Sequence, residues 1–312
     1  MGTGRIPPRE TEGKMRERNP IRKRQMNVNA RALAQISMNL PTRRTFLAGS
    51  ASAALSPTLL AGPVRHRSGK KGLGITAKNP NWVERVQSLD LDWFYTWGAR
   101  LPKDTPEGLQ FIPMLWGWYG DKSIKALDQI QTASQNASDK TLLGFNEPDG
   151  KAQSNISVDK AIRVWPELMK TGLPLASPAC VHADGKWMQE FMTKAQAKKL
   201  RVDFVCIHSY SGPNPGNFLA KVQKIYRMYG RPLWITEFAI GDWSAKSVKE
   251  NKHHPQKIGN FMRAVLPQLN RTPYVHRYAW FPASTTNRAL GTSALFKPDG
   301  SLTGLGNLYR EL

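Results

Sequence analysis

The stretch LLGFNEPDG, residues 142–150, is an apolar run that stops abruptly at Asn146, Glu147 and Pro148. A short apolar run of this kind is typical of a strand buried inside a protein. The stretch LWITEFAIG, residues 233–241, repeats the arrangement and carries Glu237. Ionised carboxylates rarely lie beside a buried strand without partners, so both glutamates need a structural or a functional reason to be there.

Pro148 restricts the backbone of the residue before it. A residue that precedes proline is disfavoured in the helical region and is pushed towards extended conformations. We therefore expect Glu147 to stay extended at the tip of its strand. In an ideal strand Glu147 and Phe145 share one face, and Asn146 points to the other. Asn146 is expected to join the same site only if the backbone twists or bulges there.

Residues 72–312 contain a repeated alternation of strand-like and helix-like segments. Apolar runs typical of buried parallel strands begin at residues 72, 90, 109, 141, 174, 202, 232 and 275. The segments between them have helical spacing, for example at Ile124, Leu127 and Ile130. Eight such units in this length predict a single α/β domain with the (β/α)8 TIM-barrel fold. A doubly wound open sheet is the alternative, but no GxGxxG motif follows the first strand.

In a TIM barrel the reactive residues lie at the C-terminal ends of the strands. Here those ends supply two carboxylates, other polar groups and large aromatic rings, namely Trp97, Trp116, Trp118, Asn146, Glu147, His208, Tyr210, Glu237 and Trp280. Any one of them has an ordinary structural explanation, such as a core tryptophan or a buried histidine. At about 30 residues per strand–helix unit, however, the 90 residues between the glutamates place them three strands apart. They are then able to face each other across the barrel.

Two carboxylates that flank a sugar ring are the requirement for glycoside hydrolysis, and a separation of about 5–5.5 Å gives retention of configuration. Aromatic rings at the same rim suit the apolar C–H faces of sugars. The strand ends therefore predict a polysaccharide as the partner, with Glu147 and Glu237 as the catalytic pair. These residues alone leave open β-glucan, mannan or cellulose as substrate, and also a barrel that binds glycans without cleaving them.

Six motifs occur in an order that matches a known family. They are LLGFNEPD, SPA, DFVCIHSY, LWITEFAIG, RYAWF and LTGLGNLY, and they lie between residues 72 and 309. Together they resemble glycoside hydrolase family 128, the glycosyl hydrolase catalytic core group, whose characterised members are β-1,3-glucanases. The resemblance implies a (β/α)8 barrel, a retaining double displacement and β-1,3-glucan as the substrate.

The resemblance also implies roles for individual residues. Glu147 takes the position of the acid/base and Glu237 that of the nucleophile. Asn146 would hydrogen-bond the 2-hydroxyl of the reacting sugar, and Tyr210, or His208 beside it, would hold Glu237 ionised and oriented.

Aromatic residues complete the predicted substrate-binding set. Trp280 would line the reacting subsite, and the peptide between Trp280 and Phe281 is expected to be cis, as in related barrel glycosidases. Trp97, Trp116 and Trp118 join it from the other strand ends. One departure from the family pattern is Ala239, which stands where a glycine often follows the TEF motif.

Neither a cofactor nor a metal is predicted for this chemistry. The adjacent His253 and His254 lie in a polar stretch without spaced ligands, so we interpret them as part of a surface loop. Cys180 and Cys206 lie in apolar contexts, where two buried free thiols are favoured over a single disulfide.

Residues 1–71 differ in composition from the rest of the chain. They contain 15 Lys or Arg and 3 Asp or Glu, so they hold more than half of the net charge of +22. The first part is charged, contains prolines and lacks apolar periodicity, which is typical of disorder. Arg43 and Arg44, followed by Phe46, Leu47 and a run of small apolar residues, resemble a twin-arginine export signal.

The leader predicts export to the periplasm or the extracellular space, with membrane contact only during export. We also hypothesise that translation starts at Met38, which would give a signal of more ordinary length. N-terminal sequencing of the precursor tests this hypothesis. Because the remaining basic excess forms no obvious stripe, nucleic-acid binding is not predicted. The mature protein is expected to be a monomer.

Overall fold

The computed structural model describes residues 68–79, 81–134 and 141–312. The predictions for the basic leader and its export signal therefore lie almost entirely outside the described residues. Among the described residues, no helix combines the length and the apolar character that crossing a membrane requires.

A parallel sheet of six strands forms the framework of the described domain. The strands are β1 Lys71–Gly74, β2 Trp93–Tyr95, β3 Gln110–Phe111, β4 Val205–Ser211, β5 Leu233–Ile240 and β6 Val275–Trp280. Their order in the sheet is β3-β2-β1-β6-β5-β4, and every pair of neighbours is parallel.

Two further extended segments, residues 142–146 and 175–179, connect the edge strands β3 and β4. Isolated parallel bridges join Met114 to Leu143, Leu142 to Leu175, and Ala176 to Phe204 just before β4. These bridges close the sheet into the predicted eight-membered barrel. The two segments are the fourth and fifth predicted strands, although they pair only at single positions.

Prolines account for the irregular pairing in this half of the barrel. Pro113 and Pro174 accept hydrogen bonds from Leu143 and Leu142 through their carbonyl groups, both at 2.9 Å. Proline has no N–H to donate in return, so a continuous ladder of hydrogen bonds cannot form there.

Seven α-helices follow the strands in the described part of the chain. They are α1 Trp82–Gln87, α2 Asp121–Ser134, α3 Val158–Met169, α4 Lys186–Ala197, α5 Pro215–Tyr229, α6 Pro255–Arg271 and α7 Gly304–Glu311. Some of their ends carry ordinary capping signals. The Ser157 side chain accepts a hydrogen bond from Lys160 N, Asn214 accepts from Asn217 N, and Gly230 ends α5 in the left-handed conformation.

The core has two layers, because side chains alternate between the two faces of each strand. Inside the barrel, Trp93, Tyr95 and Trp234 pack together, and the guanidinium of Arg277 lies over both tryptophan rings. Between the sheet and the helices, Phe145 packs edge-on against Trp165 of α3. Cys180 and Cys206 are both buried and free, as predicted.

The start of the first strand is tied to the last helix. Lys71 Nζ donates to the carbonyl oxygens of Tyr309, at 3.1 Å, and Arg310, at 3.0 Å. In return the Tyr309 hydroxyl donates to Gly72 O at 2.8 Å. The two ends of the domain are thus joined by buried or partly buried hydrogen bonds.

Gly144, in the middle of the segment that leads to Glu147, is in close contact with the neighbouring segment. A Cβ atom at Gly144 would lie 2.9 Å from Ala176 O, 3.0 Å from Pro178 N and 3.0 Å from the carbonyl carbon of Ser177. All three atoms belong to backbone, which cannot rotate away as a side chain can. Glycine at this position therefore allows the two segments to approach each other.

We expect Gly144→Ala to lower the free energy of unfolding by about 1–3 kcal/mol, the usual effect of overpacking a dense interior. Chemical denaturation measures this change. Gly304→Ala is the matched control, because a Cβ there would meet no atom within 4 Å. Equal stability of the two variants would contradict the proposed role of Gly144.

Candidate active site

Neighbouring strands β4 and β5 place three polar side chains side by side at the rim of the barrel. His208 pairs with Glu237 in the sheet, and Tyr210 pairs with Ala239. A shift in register between Ile207 and His208 allows this alignment. Glu147 reaches the same rim from the end of segment 142–146.

The two glutamates meet around the imidazole ring of His208. Glu147 Oε1 lies 2.9 Å from His208 Nδ1, and Glu237 Oε1 lies 3.5 Å from His208 Nε2. One ligand atom from each of the three residues lies within 4.8 Å of the other two. All three side chains are buried, with relative exposures of 9% for Glu147, 5% for Glu237 and 1% for His208. The two glutamates, which are 90 residues apart in the sequence, thus lie in a single pocket.

The backbone of Glu147 is not extended, so that expectation was wrong. Its φ angle is +41°, in the left-handed region that non-glycine residues seldom adopt. The Glu147 N–H donates to Ala179 O at 2.7 Å, and the Glu147 carbonyl accepts from Gly150 N at 2.9 Å. This tight turn avoids the right-handed helical region that Pro148 disfavours and still reverses the chain. Backbone strain of this kind is concentrated at functional sites.

The turn at Glu147 also sets the environment of Asn146. Asn146 is buried, and its Nδ2 donates to Gln153 Oε1 at 3.3 Å. Its Oδ1 atom is buried and accepts no hydrogen bond from any described residue. A buried amide oxygen without a donor is suited to accept a hydrogen bond from a ligand hydroxyl.

Three side chains donate hydrogen bonds to Glu237. Trp97 Nε1 donates to Oε1 at 2.7 Å, the Tyr95 hydroxyl donates to Oε1 at 3.1 Å, and the Tyr210 hydroxyl donates to Oε2. Donors to a carboxylate stabilise its ionised form. Burial and then the charge of Glu237 raise the pKa of Tyr95 and of Tyr210 well above the usual range, so both hydroxyls remain protonated donors.

Tyr95 is a site residue that the strand ends do not predict. The end of this run indicates Trp97, which lies two residues later. Trp93, Tyr95 and Trp97 alternate along the strand, and Tyr95 contacts the rings of both neighbours. The period of two was the signal that identifies Tyr95 as facing the inside of the barrel.

The charge state of His208 is set by opposing effects. Burial alone would lower its pKa, but the charge of Glu237 and the hydrogen bond and charge of Glu147 outweigh burial and raise it. A raised pKa favours a protonated imidazolium whose Nδ1–H donates to Glu147. The imidazole ring therefore lies between the two carboxylates and interacts with the charges of both.

Trp280 does not line the site. Its side chain is fully buried, its Nε1 donates to Ser293 O at 3.0 Å, and it packs against Phe238, Phe261 and Tyr309 in the outer core. The reason is strand alternation, because Trp280 shares the outward face of β6 with Tyr278.

Phe281 occupies the rim position instead of Trp280. Its ring lies edge-on to Trp97 at 5.9 Å and to Tyr210 at 5.4 Å between ring centres. The peptide between Trp280 and Phe281 is trans, contrary to expectation. Phe281 N donates to Phe238 O at 2.9 Å, which continues the hydrogen bonding between β5 and β6.

The remaining predicted tryptophans divide into two groups. Trp97 contacts Glu237 directly. Trp116 lies close to the acid/base segment, since its carbonyl accepts from Asn146 N at 2.9 Å, and its ring is nearly parallel to that of the exposed Tyr119. Trp118 is half-buried against the outer layer of the core and is not brought to the glutamates by any described contact.

Glu147, His208 and Glu237 form the one group of ligand atoms among the described residues that is compact enough to hold a metal ion. His253 and His254 are not part of any such group. Hydrogen-bond donors already contact both oxygens of Glu237, and an imidazolium would repel a cation. The donor set thus fits proton transfer better than metal binding.

A parallel α/β barrel with two facing carboxylates at the C-terminal ends of its strands has the fold and the site of a barrel glycosidase. The comparisons with known proteins agree. Residues 72–309 match the family model described as glycosyl hydrolase catalytic core. The chain belongs to this family, and within it to glycoside hydrolase family 128, as its similarity to solved structures shows.

One of those structures is a subgroup I endo-β-1,3-glucanase from Amycolatopsis mediterranei. It is 30% identical, the match covers 78% of this chain and 98% of that chain, and the TM-score is 0.67. A second is a subgroup III curdlan-specific exo-β-1,3-glucanase from Blastomyces gilchristii, which is 29% identical over 78% of this chain and 99% of that chain, with a TM-score of 0.61.

A curated relative is alkali-sensitive linkage protein 1 of Schizosaccharomyces pombe. It is 27% identical over 253 residues, which are 78% of this chain. The match spans 44% of the length of that protein, so the relative is much longer than the shared domain.

The raised pKa of His208 predicts a pH-dependent contribution to stability. A group whose pKa is higher in the folded state stabilises that state most below its unfolded pKa, about 6.5 for histidine. This contribution is lost as the pH rises through the folded pKa. We therefore expect the stability advantage of the wild type over His208→Gln to be largest near pH 5.5 and to shrink towards pH 9, as measured by urea denaturation.

His276→Gln is the control for this prediction. Burial and then the charges of Lys70 and Arg277 lower the pKa of His276, so its contribution should have the opposite sign and grow with pH. A constant difference between the wild type and His208→Gln over this pH range would contradict the assigned charge state of His208.

Proposed function

We propose that this protein is a retaining glycoside hydrolase that cleaves β-1,3-glucan by double displacement. The observation that carries the proposal is the convergence of Glu147 and Glu237, which have carboxylate oxygens within 4.8 Å of each other. This spacing leaves no room for the additional water that an inverting mechanism places between the sugar and its base. It is suited to direct attack by one carboxylate on the anomeric carbon.

The hydrogen bonds of the two glutamates support different roles for them. Glu237 accepts from Tyr95, Trp97 and Tyr210, and three such donors suit a carboxylate that acts as the nucleophile. The described partner of the Glu147 carboxylate is His208 Nδ1, an atom that is able either to donate or to accept. The proton that the raised pKa favours on His208 is therefore able to pass through Nδ1 to Glu147 for delivery to a leaving group.

In the first step Glu147 gives its proton to the glycosidic oxygen while a Glu237 oxygen bonds to the anomeric carbon. The C–O bond to the leaving sugar breaks, and Glu237 becomes a neutral ester. The negative charge of Glu237 raises the pKa of His208. The loss of that charge therefore makes a proton on the imidazole less favourable.

In the second step Glu147, now ionised, takes a proton from a water molecule, and the water oxygen attacks the anomeric carbon. The bond to Glu237 breaks, and both glutamates return to their starting states. The unpartnered Oδ1 of Asn146 is available to accept a hydrogen bond from a sugar hydroxyl in both steps.

The substrate class rests on the relatives. The Amycolatopsis enzyme was crystallised with laminaripentaose in a variant that replaces one glutamate by alanine, and with laminaritriose and laminaribiose in a variant that replaces another. The Blastomyces enzyme is specific for curdlan. Both support β-1,3-glucan as the substrate here. Hydrolysis of mannan or cellulose in place of laminarin would contradict this choice of substrate. We also propose that the enzyme acts as a monomer, because a single barrel supplies both carboxylates and the three donors to Glu237.

We expect the wild type to release laminarioligosaccharides from laminarin, and Glu237→Ala to lose at least about a thousandfold in kcat, because no covalent intermediate forms. Azide should restore turnover of an activated aryl glycoside by Glu237→Ala and give the inverted glycosyl azide. Reducing-sugar assays and NMR of the product measure both effects.

Glu147→Ala is the matched control, because it removes the acid and keeps the nucleophile. It should retain activity only on substrates whose leaving groups need no protonation. Wild-type rates of laminarin hydrolysis for either variant would refute the assigned roles, and a wild type that binds laminarin without releasing products would indicate a glycan-binding barrel.

We further propose that the chain is exported to the periplasm or beyond through the twin-arginine signal at Arg43 and Arg44. Replacement of both by lysine should keep the enzyme inside the cell, because the pair is the recognition element of such signals. Fractionation of cells that express the full chain measures the distribution. The pair Arg65→Lys and Arg67→Lys, downstream of the apolar run, is the control and should not alter export.

A further inference from the structure

Trp243 differs from the other nine tryptophans of the chain. Its relative exposure is 59%, whereas the others are buried or half-buried. It lies six residues after Glu237, in the loop that follows β5. A single exposed apolar residue is common on protein surfaces, but the ring of Trp243 is also held in a fixed orientation beside Tyr210, a donor to Glu237.

A network of polar contacts fixes the loop that carries Trp243. The buried carboxylate of Asp242 accepts hydrogen bonds from Ser244 N at 3.1 Å, from Ser244 Oγ at 2.6 Å and from Lys252 N at 3.1 Å. These bonds, led by that from the Ser244 hydroxyl, hold the pKa of Asp242 well below its usual range. Arg288 donates to the carbonyl oxygens of Trp243 and Ala245 on the other side.

The indole ring of Trp243 lies next to the catalytic residues. It meets Tyr210 edge-on, with ring centres 6.1 Å apart, and its Nε1 donates to Tyr210 O at 3.4 Å. The Tyr210 hydroxyl in turn donates to Glu237. One tyrosine therefore separates an exposed, oriented aromatic ring from the nucleophile.

We propose that Trp243 is a sugar-binding residue that stacks on a glucosyl unit of the chain beyond the bond that is cleaved. A β-glucosyl ring presents apolar C–H groups on both faces and hydroxyls around its edge, so its face complements an indole. An indole that is already oriented loses little conformational entropy on binding. The proposal rests on the proposed function, and it assigns to Trp243 a preference for longer β-1,3-linked chains.

The experiment compares Trp243→Ala and Trp243→Phe with the wild type on laminaritriose to laminarihexaose. For laminarihexaose, KM should rise about tenfold in Trp243→Ala, the change that a single stacking contact of this size produces. The rise should be smaller in Trp243→Phe, which keeps an aromatic ring, and kcat should change less than KM. Met228→Ala, which shortens an exposed apolar side chain near the end of α5, is the control and should alter neither constant.

Calorimetric titration with laminarihexaose separates this proposal from the proposed function. It compares Glu237→Gln with the double variant Glu237→Gln, Trp243→Ala, so it needs no turnover. Weaker binding by the double variant, at an unchanged thermal midpoint, supports the role of Trp243. Equal affinity of the two proteins overturns it, even if the wild type hydrolyses laminarin. If the midpoint of the Ala variant falls, the same comparison with Trp243→Phe decides, and equal affinity again overturns the role.

Discussion

The negative charge of Glu237 is the constraint on which the rest of the site depends. A carboxylate with only 5% exposure is stable inside an apolar barrel when donors replace the water that it has lost. Two of its donors, Tyr95 and Trp97, come from β2 and from the residues just after it, whereas Glu237 lies on β5. Strands β1 and β6 separate β2 from β5 in the sheet, so these donors reach Glu237 across the interior. Closure of the barrel therefore also brings together the donors that the buried Glu237 carboxylate needs.

The two glutamates lie on parts of the barrel that differ in regularity. Glu237 lies within β5, a long strand that is paired on both sides. Glu147 lies at the end of a segment with isolated bridges, in a left-handed turn. Regular pairing holds Glu237 in one position, as its proposed role requires, while the turn directs Glu147 towards His208. The prolines that interrupt the ladders thus lie in the half of the barrel that carries Glu147.

The sequence predicted the strand–helix alternation and the approach of the two glutamates, because buried apolar runs and their polar ends are strong local signals. The sequence predictions placed Trp280 at the site and left Tyr95 out of it. Alternation along the strands identifies the outward face for Trp280 and the inward face for Tyr95. The backbone of Glu147 could not be derived locally. Pro148 excludes one region of conformational space, but hydrogen bonds to Ala179 and Gly150, one of them distant in sequence, select between the regions that remain. The trans peptide before Phe281 is the ordinary state of a bond that does not precede proline, and only the resemblance to related barrels had suggested otherwise.

The hydrogen bonds of Lys71 and Tyr309 place the beginning and the end of the domain side by side. A domain with adjacent ends is a self-contained module, because sequence added before or after it leaves through one face and need not cross the barrel. Fusion partners attached directly at either end of the domain would begin at that face, away from the loops that follow the strands. The much longer Schizosaccharomyces relative is consistent with such modular use, since the shared domain makes up less than half of its length.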